Sequence, residues 1–111
     1  MARTPKNLDI RQITSTVLTT IYTAGAGINT SISVLSFTNA SNTAVSIDIY
    51  RNDGTTDFIL KTLTLPAGIG RERSWYPAQR RVFNAGHSIK IQADSVAAFN
   101  SDLNGSEVET A

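Results

Sequence analysis

The feature that most constrains the fold of this chain is a series of short apolar segments with a period of two residues. Apolar and polar side chains alternate clearly over residues 45–50 and again over residues 88–93, as they do in half-buried strands. Runs rich in Gly, Pro, Asn and Asp separate these segments about every 8–12 residues, and no segment sustains a helical period. The spacing predicts an all-β fold, namely a single antiparallel β-sandwich or jelly roll of about eight short strands, with a closed barrel as the alternative.

The apolar period changes phase inside the clearest of these segments, residues 28–37. Ile32 and Val34 continue the alternation that begins at Ile28, whereas Leu35 and Phe37 lie one residue out of phase. A β-bulge adds one residue to a strand and shifts its inward face in this way. We therefore expect either a bulge near Val34 and Leu35 or a strand that is covered on both faces.

The composition is rich in hydroxyl and amide side chains. Thr, Ser and Asn account for 14, 11 and 8 of the 111 residues, and these types suit half-exposed strands and turns. The length corresponds to one domain. We divide it into an extended arm over residues 1–11, a β-sandwich over residues 12–100, and an acidic tail or last edge strand over residues 101–111.

The start of the chain is basic and is followed by no apolar segment, which predicts that the protein carries no signal peptide and stays where it is made. No apolar run approaches the length of about 20 residues that a membrane span needs. The expected partners therefore include no membrane.

Charge is distributed unevenly, although the net charge is only +1. Residues 1–11 hold three basic side chains and one acidic side chain, and residues 71–81 hold four basic side chains and one acidic side chain. Residues 94–111 hold four acidic side chains and no basic one. Complementary ends of this kind suit contacts between protein surfaces, whereas a nucleic-acid-binding domain carries a basic excess over the whole fold. We therefore expect no direct binding to nucleic acid.

The residues that could carry catalysis or bind a metal ion lack suitable partners in the sequence. His87 is the only histidine and there is no cysteine, so a general base or a metal site would miss its usual companions. Asp53 and Asp57 flank a short turn but have neither the spacing nor the final Glu of a calcium loop. The sequence predicts no enzyme activity, no cofactor and no metal site.

One segment, residues 70–81, concentrates the residue types that dominate protein–protein interfaces. It contains the only Trp and four of the ten basic residues, and Arg, Trp and Tyr are the types most enriched among interface hot spots. An equally supported reading has Trp75 closing one end of the sandwich beneath the arginine side chains. Together with the polar arm, the predicted protein-binding residues are Arg3, Lys6, Arg71, Arg73, Trp75, Tyr76, Arg80 and Arg81.

The chain is rich in Ser, Thr and Asn and contains three short runs that each include Ala-Gly. They are IYTAG at residues 21–25, LTLPAG at residues 63–68 and FNAGHSIKI at residues 83–91. In this style the sequence resembles small β-sandwich virion proteins of tailed bacteriophages, and most of all the capsid decoration, or stapling, proteins of epsilon15-like podoviruses. The glycines of these runs, Gly25, Gly68 and Gly86, are expected to supply turns with positive φ.

The resemblance implies a decoration protein without catalytic residues. Such a protein binds the outer surface of the phage head as a homodimer and clamps neighbouring major capsid subunits against the pressure of packaged DNA. The expected location is the exterior of the capsid, after assembly in the host cytoplasm. Two alternatives stay open: a tail or head–tail joining protein, and a carbohydrate-binding sandwich in which Trp75 and Tyr76 stack on sugar.

Overall fold

The computed structural model describes residues 3–77 and 82–109, which form nine β-strands in two antiparallel sheets. The strands are β1 (Arg3–Ile13), β2 (Thr19–Thr23), β3 (Ile28–Asn39), β4 (Val45–Asn52), β5 (Asp57–Leu65), β6 (Glu72–Trp75), β7 (Val82–Phe83), β8 (Ser88–Ala93) and β9 (Phe99–Glu109). In this part of the chain there is no helix that could span a membrane.

The order of the strands is that of a jelly roll. The first sheet has the order β1-β9-β3-β6, with β7 also paired to β3, and the second has the order β2-β8-β4-β5. Apart from β4–β5 and β6–β7, each connection crosses from one sheet to the other. Because β6 and β7 occupy successive positions along the same edge of β3, they act as one interrupted strand. The predicted sandwich of about eight strands is confirmed, and the two separate sheets rule out the closed barrel.

The core lies between the two sheets and is built from the inward faces of both. Ile47 and Ile49 of β4 alternate with polar residues and are fully buried, as their sequence pattern predicts. From the first sheet, the rings of Phe37 and Phe99 meet edge to face with their centroids 5.9 Å apart. Edge-to-face pairs of this kind stabilise a core beyond the area that they bury.

The predicted change of phase in β3 is a β-bulge. The register between β3 and β9 shifts between Ile32 and Val34, one to two residues before the expected position. Ile32 and Leu35 are both fully buried, so the extra residue keeps apolar side chains pointing inward on both sides of the bulge. Of the two readings that the sequence left open, the bulge is the one observed.

The two ends of the described chain form a pair of strands, which differs from the predicted arm and tail. Residues 3–13 are β1, which pairs with β9 from Arg3 opposite Val108 to Ile13 opposite Phe99. β9 lies between β1 and β3, so it is an interior strand and not an edge. Sequence inspection missed this because a polar edge strand carries no clear alternation. The basic start and the acidic end thus complement each other within one molecule.

Two strand boundaries also differ from the pattern-based prediction. Residues 14–18, predicted as strand, form the loop in which the chain crosses from the first sheet to the second. Ser101 and Asp102, predicted as a break, continue β9, and Ser101 is 1% exposed between its neighbours Arg11 and Phe37 on the flanking strands. Pairing on both sides holds this polar position in the sheet.

Positive φ angles occur at two of the three glycines for which the sequence predicts them. Gly68 has φ 127° and Gly86 has φ 84°, a region that L residues rarely adopt. The prediction for Gly25 is wrong, because the turn between β2 and β3 uses Gly27, with φ 72°, instead. The turn is therefore shifted by two residues within the same Ala-Gly-rich run.

One buried amide joins two loops at the end of the sandwich where β3 stops and β4 begins. Asn39 is fully buried, and its Nδ2 donates hydrogen bonds to the carbonyl oxygens of Thr43 and Pro66, both at 2.9 Å. Its Oδ1 accepts from the backbone N and the Oγ of Ser41, at 2.8 and 2.9 Å. The side chain is fully satisfied and fixes the β3–β4 turn to the end of β5.

Candidate protein-binding surface

The segment in which interface-type residues are concentrated, residues 70–81, contains the edge strand β6. Within it, Trp75 lies opposite Leu35 of β3, is 8% exposed and packs into the core. Of the two roles that the sequence allowed for Trp75, the structural one is therefore observed, and the indole ring is not available to a partner. It anchors the segment against the sandwich so that the neighbouring side chains are presented from a fixed strand.

The exposed side chains around β6 combine apolar and basic character. Ile69 is 71% exposed and Tyr76 is 72% exposed, and Arg71 and Arg73 are exposed between them. We refer to these four residues as the β6 surface. Large apolar and guanidinium groups presented together are the usual anchors of a protein–protein contact.

Backbone hydrogen bonds hold the loop that leads into the β6 surface. The amide N of Asn39 donates to the carbonyl O of Arg71, and the amide N of Gly70 donates to the carbonyl O of Asn39, both at 2.7 Å. The Arg71 amide also donates to the Gly68 carbonyl at 3.2 Å. A surface that is already ordered loses less conformational entropy when a partner binds.

The two arginines of the β6 surface are not engaged by acidic side chains in the described ranges. The ion pairs of residues 3–77 and 82–109 lie elsewhere, and the Arg73 Nη1 donates only to the Glu72 backbone carbonyl, at 3.0 Å. A charge that has no intramolecular partner can pair with an acidic group on another protein.

Arg3 and Lys6, two of the remaining predicted binding residues, are not brought to this surface. They lie on β1, the opposite edge strand of the same sheet, with β9 and β3 in between. The Lys6 Nζ is paired with the Glu107 Oε1 at 3.0 Å. Arg80 and Arg81 lie outside the described residues. The described members of the predicted set thus lie at two opposite edges of one sheet.

A second exposed apolar site, on the edge strand β5, was not predicted. Phe58 and Ile59 are 50% and 58% exposed. A register shift opposite Ile49 and Tyr50 interrupts the pairing of β5 with β4 beside them. Only the strand order, which places β5 at an edge, reveals the site.

A polar contact closes the opposite side of the sandwich, where β1 and β2 meet. The Arg11 guanidinium is held by Asp9, with Nε 2.8 Å from Oδ2. It also donates to the carbonyl oxygens of Thr20 and Ile21, at 3.3 and 3.5 Å. These carbonyls lie on an edge strand, so Arg11 occupies acceptors that another strand could otherwise use.

Glu107 joins the two sheets nearby. Its Oε2 accepts a hydrogen bond from the Tyr22 hydroxyl at 2.5 Å, and its Oε1 accepts from Lys6. The Tyr22 hydroxyl also lies 2.8 Å from the buried Thr30 Oγ1. Burial, together with the bond to Glu107, raises the pKa of Tyr22 to about 12. The bonds from Tyr22 and then Lys6 lower the pKa of Glu107.

The lowered pKa of Glu107 makes part of the folding stability dependent on pH. A carboxyl whose pKa is lower in the folded state stabilises the fold above its unfolded pKa, here 4.5, and loses that contribution as pH falls through the folded value. We expect Glu107→Gln to lower the free energy of unfolding by about 1–2 kcal/mol at pH 7, with the difference vanishing at acidic pH. Urea unfolding at pH 7 and pH 3 measures both values.

The control for this comparison is Glu72→Gln, which changes an exposed carboxyl on β6 and should alter stability by less than about 0.5 kcal/mol at either pH. A Glu107→Gln protein that stays less stable than the wild type by the same amount at pH 3 would contradict the assignment.

The residues considered for chemistry have structural contacts. The His87 Nδ1 accepts hydrogen bonds from the Nε and Nη2 of Arg51, at 3.2 and 3.0 Å, and the Arg51 guanidinium lies 4.6 Å from the centre of the Phe83 ring. The Asp53 carboxylate accepts from the backbone amides of Thr56 and then Thr55, which lower its pKa. These contacts order the turn between β4 and β5 and the turn between β7 and β8.

No protein-family model and no curated protein matches this chain. Solved structures with a similar course of the chain include Eiger TNF from S. frugiperda, which is 10% identical over 98% of this chain and 90% of that chain, with a TM-score of 0.45. They also include a chain of the Bacillus endospore appendages, a family of disulfide-linked pili, which is 14% identical over 100% and 93%, with a TM-score of 0.47. At these values neither likeness bears on what this chain binds.

Proposed function

We propose that the protein is a capsid decoration protein of a tailed bacteriophage. It binds the outer surface of the head, contacts the major capsid protein and clamps neighbouring subunits together. The observation that carries the proposal is the β6 surface, where Ile69, Arg71, Arg73 and Tyr76 are all exposed on or beside an ordered edge strand. It supplies the apolar and basic anchors that the resemblance to decoration proteins leads one to expect.

The outward faces of the sandwich add a second supporting feature. Hydroxyl, amide and carboxylate side chains bond to each other across the strands, as in the pairs Ser46–Thr64 at 3.0 Å and Asp48–Thr62 at 2.7 Å. Such faces make many modest contacts and no single strong one. On a symmetric shell, repeated attachment multiplies modest contacts into firm binding, which suits a protein that must resist pressure at many points.

The carbohydrate-binding alternative loses support from the position of Trp75. Sugar recognition by stacking needs an exposed aromatic face, and only Tyr76 of the two candidate rings is exposed. The tail or head–tail joining alternative relies on the same β6 surface. It is distinguished by the place of the protein in the particle.

The test is binding of the purified protein to capsids of the encoding phage that lack it, followed by electron cryo-microscopy of the particles. We expect density on the outer shell between capsomers. Arg71→Glu combined with Arg73→Glu, or Tyr76→Ser alone, should weaken binding at least about tenfold, since a lost hot spot costs more than about 1.4 kcal/mol.

The matched control is Val96→Ser, which removes an equally exposed apolar side chain, 77% exposed, from the loop between β8 and β9. It should bind as the wild type does. Density confined to the tail, or a wild-type protein that does not bind capsids at all, would overturn the proposal.

A further inference from the structure

The segment that joins β1 to β2 has an unusual sequence for a bend. Residues 14–18 read Thr-Ser-Thr-Val-Leu, and they bend where the chain crosses from the first sheet to the second. Each of the other connections between consecutive strands contains Gly, Pro, Asn or Asp, the residue types that favour turns. Thr and Val favour an extended strand, so the local preference of residues 14–18 opposes the bend that they form.

β1 is held in the fold by a single neighbouring strand. Among the described strands it pairs only with β9, and of its residues 6–13 only Ile13 is buried. One of the polar contacts of this pair joins the Lys6 Nζ to the Glu107 Oε1, at 3.0 Å. Contacts of this kind require a strand in the place of β1, but they do not require that the strand come from the same chain.

We propose that two copies of this chain exchange β1, so that β1 of each copy pairs with β9 of the other in the register of the single chain. Residues 14–18, which we call the hinge segment, then run straight from β1 into β2, in the extended conformation that Thr and Val prefer. Because exchange of an identical element reuses the existing pairing, it needs no new complementary surface. The partner is a second copy, since β1 already carries the side chains that match β9.

The exposed side chain of Val17 fits the exchanged form. It is 67% exposed on the bend of the closed chain. Opening the bend breaks the hydrogen bond from the Gln92 Nε2 to the Thr16 carbonyl oxygen, which measures 3.2 Å. In a reciprocal exchange the two hinge segments pass each other at the two-fold axis, where each Val17 packs against the hinge segment of the second copy and leaves water.

The exchanged dimer carries the proposed function one step further, although the exchange itself requires no capsid. β6 lies at the other edge of the first sheet from β1, so the β6 surface stays free in both copies. One dimer therefore presents two β6 surfaces that are joined through whole strands. A protein that clamps two neighbouring capsid subunits needs two such attachment points.

Cysteines on β1 and β9 show which chain supplies each strand, because the natural chain has no cysteine. Gln12 and Asn100 are exposed and directly opposite each other. Opposed residues of antiparallel strands have Cα atoms about 4.5–5.5 Å apart, within the range of about 4.4–6.8 Å that a disulfide spans.

The protein with both Gln12→Cys and Asn100→Cys is refolded from urea under reducing conditions at about 500 µM, where even a Kd of several hundred micromolar is visible. Monomer and dimer fractions are then separated by gel filtration and oxidised. We expect the dimer fraction to give covalent dimers on a non-reducing gel, and the monomer fraction to give single chains with an internal disulfide.

The matched control combines Gln12→Cys with Thr62→Cys, which lies exposed on β5 of the second sheet. Positions 12 and 62 are not opposed in either form, so covalent dimers should appear at least about tenfold more slowly. A dimer fraction in which positions 12 and 100 are joined within one chain would overturn the exchange, because β1 would then have stayed on its own β9.

Thr16→Asn combined with Val17→Gly tests the hinge segment. Asn-Gly is a strong turn sequence, so this variant should favour the closed monomer. Each dimer contains two hinge segments and the preference counts twice, so we expect the dissociation constant of the dimer, measured by sedimentation equilibrium, to rise at least about tenfold. Thr55→Asn combined with Thr56→Gly makes the same change in the exposed turn between β4 and β5 and should leave that constant unchanged.

A wild type that is wholly monomeric after refolding at about 500 µM would rule out the exchange. A hinge variant that dimerises as strongly as the wild type would do the same. Binding to capsids reads attachment through the β6 surface, so a failure of that test leaves the exchange intact, and a failure of the exchange leaves capsid binding intact.

Discussion

Replacement of Gly105 by alanine is expected to lower the free energy of unfolding by about 3 kcal/mol or more, at the upper end of what overpacking costs. Gly105 lies in the interior strand β9, opposite Ile32 of β3 and Lys6 of β1. A Cβ atom there would lie 2.1 Å from the Ser31 carbonyl O and 3.1 Å from the Leu8 Cδ1. The first of these atoms belongs to the backbone beside the bulge of β3, so a strand must move to make room.

The control is Gly25→Ala, because a Cβ at Gly25 meets no atom within 4 Å. This variant should stay within about 0.5 kcal/mol of the wild type. Urea unfolding measures both changes, and the melting temperature of Gly105→Ala should fall by at least about 10 °C at this chain length. A Gly105→Ala protein as stable as Gly25→Ala would show that β3 and β9 separate without cost at this point.

Replacement of Asn39 by aspartate should destabilise the fold by about 3–5 kcal/mol at pH 7, the cost of a buried charge placed against two carbonyl oxygens. The two side chains have the same shape, but the change replaces the Nδ2 donor by an oxygen. That oxygen would face the carbonyl oxygens of Thr43 and Pro66, which now accept bonds at 2.9 Å. The loops on either side would lose their common attachment.

The effect of Asn39→Asp should depend on pH in a predictable direction. Burial, together with the two carbonyl oxygens that face the new oxygen, raises the folded-state pKa of the new carboxyl above its unfolded value, so the variant recovers stability as pH falls and loses it as pH rises. Unfolding curves at pH 4 and pH 7 should therefore differ more for this variant than for Asn42→Asp, an exposed position in the same loop. Equal pH dependence in the two variants would contradict this account.

The part of the fold that could be predicted from sequence is the part in which side-chain pattern reports burial. The alternation over β4 and β8, and the change of phase in β3, were sufficient for the sandwich and for one of its bulges. β1 could not be recognised, since an edge strand in which Lys6, Asn7 and Ile10 are exposed has no apolar face to reveal its period. β9 was divided in two because Ser101 looks like a turn residue when its neighbours are unknown.

The sequence predicted which residue types the candidate surface contains, but not how they are arranged in space. Alternation along β6 alone indicates that Trp75 and Tyr76 face different ways, and the structure shows which of them is buried. The separation of Lys6 from the β6 surface depends on strand order, as does the exposure of Phe58 and Ile59. Strand order arises from long-range pairing, which local sequence does not encode.

The position of β9 has a consequence for the order of events during synthesis. β9 is the last strand along the described chain, yet it lies inside its sheet, and β1 pairs with no other described strand. The partners Arg3 and Val108 are separated by almost the whole described chain. The first sheet therefore cannot be completed until β9 has left the ribosome, and until then both β1 and β3 keep unpaired edges. During synthesis these edges are open to pairing with other chains.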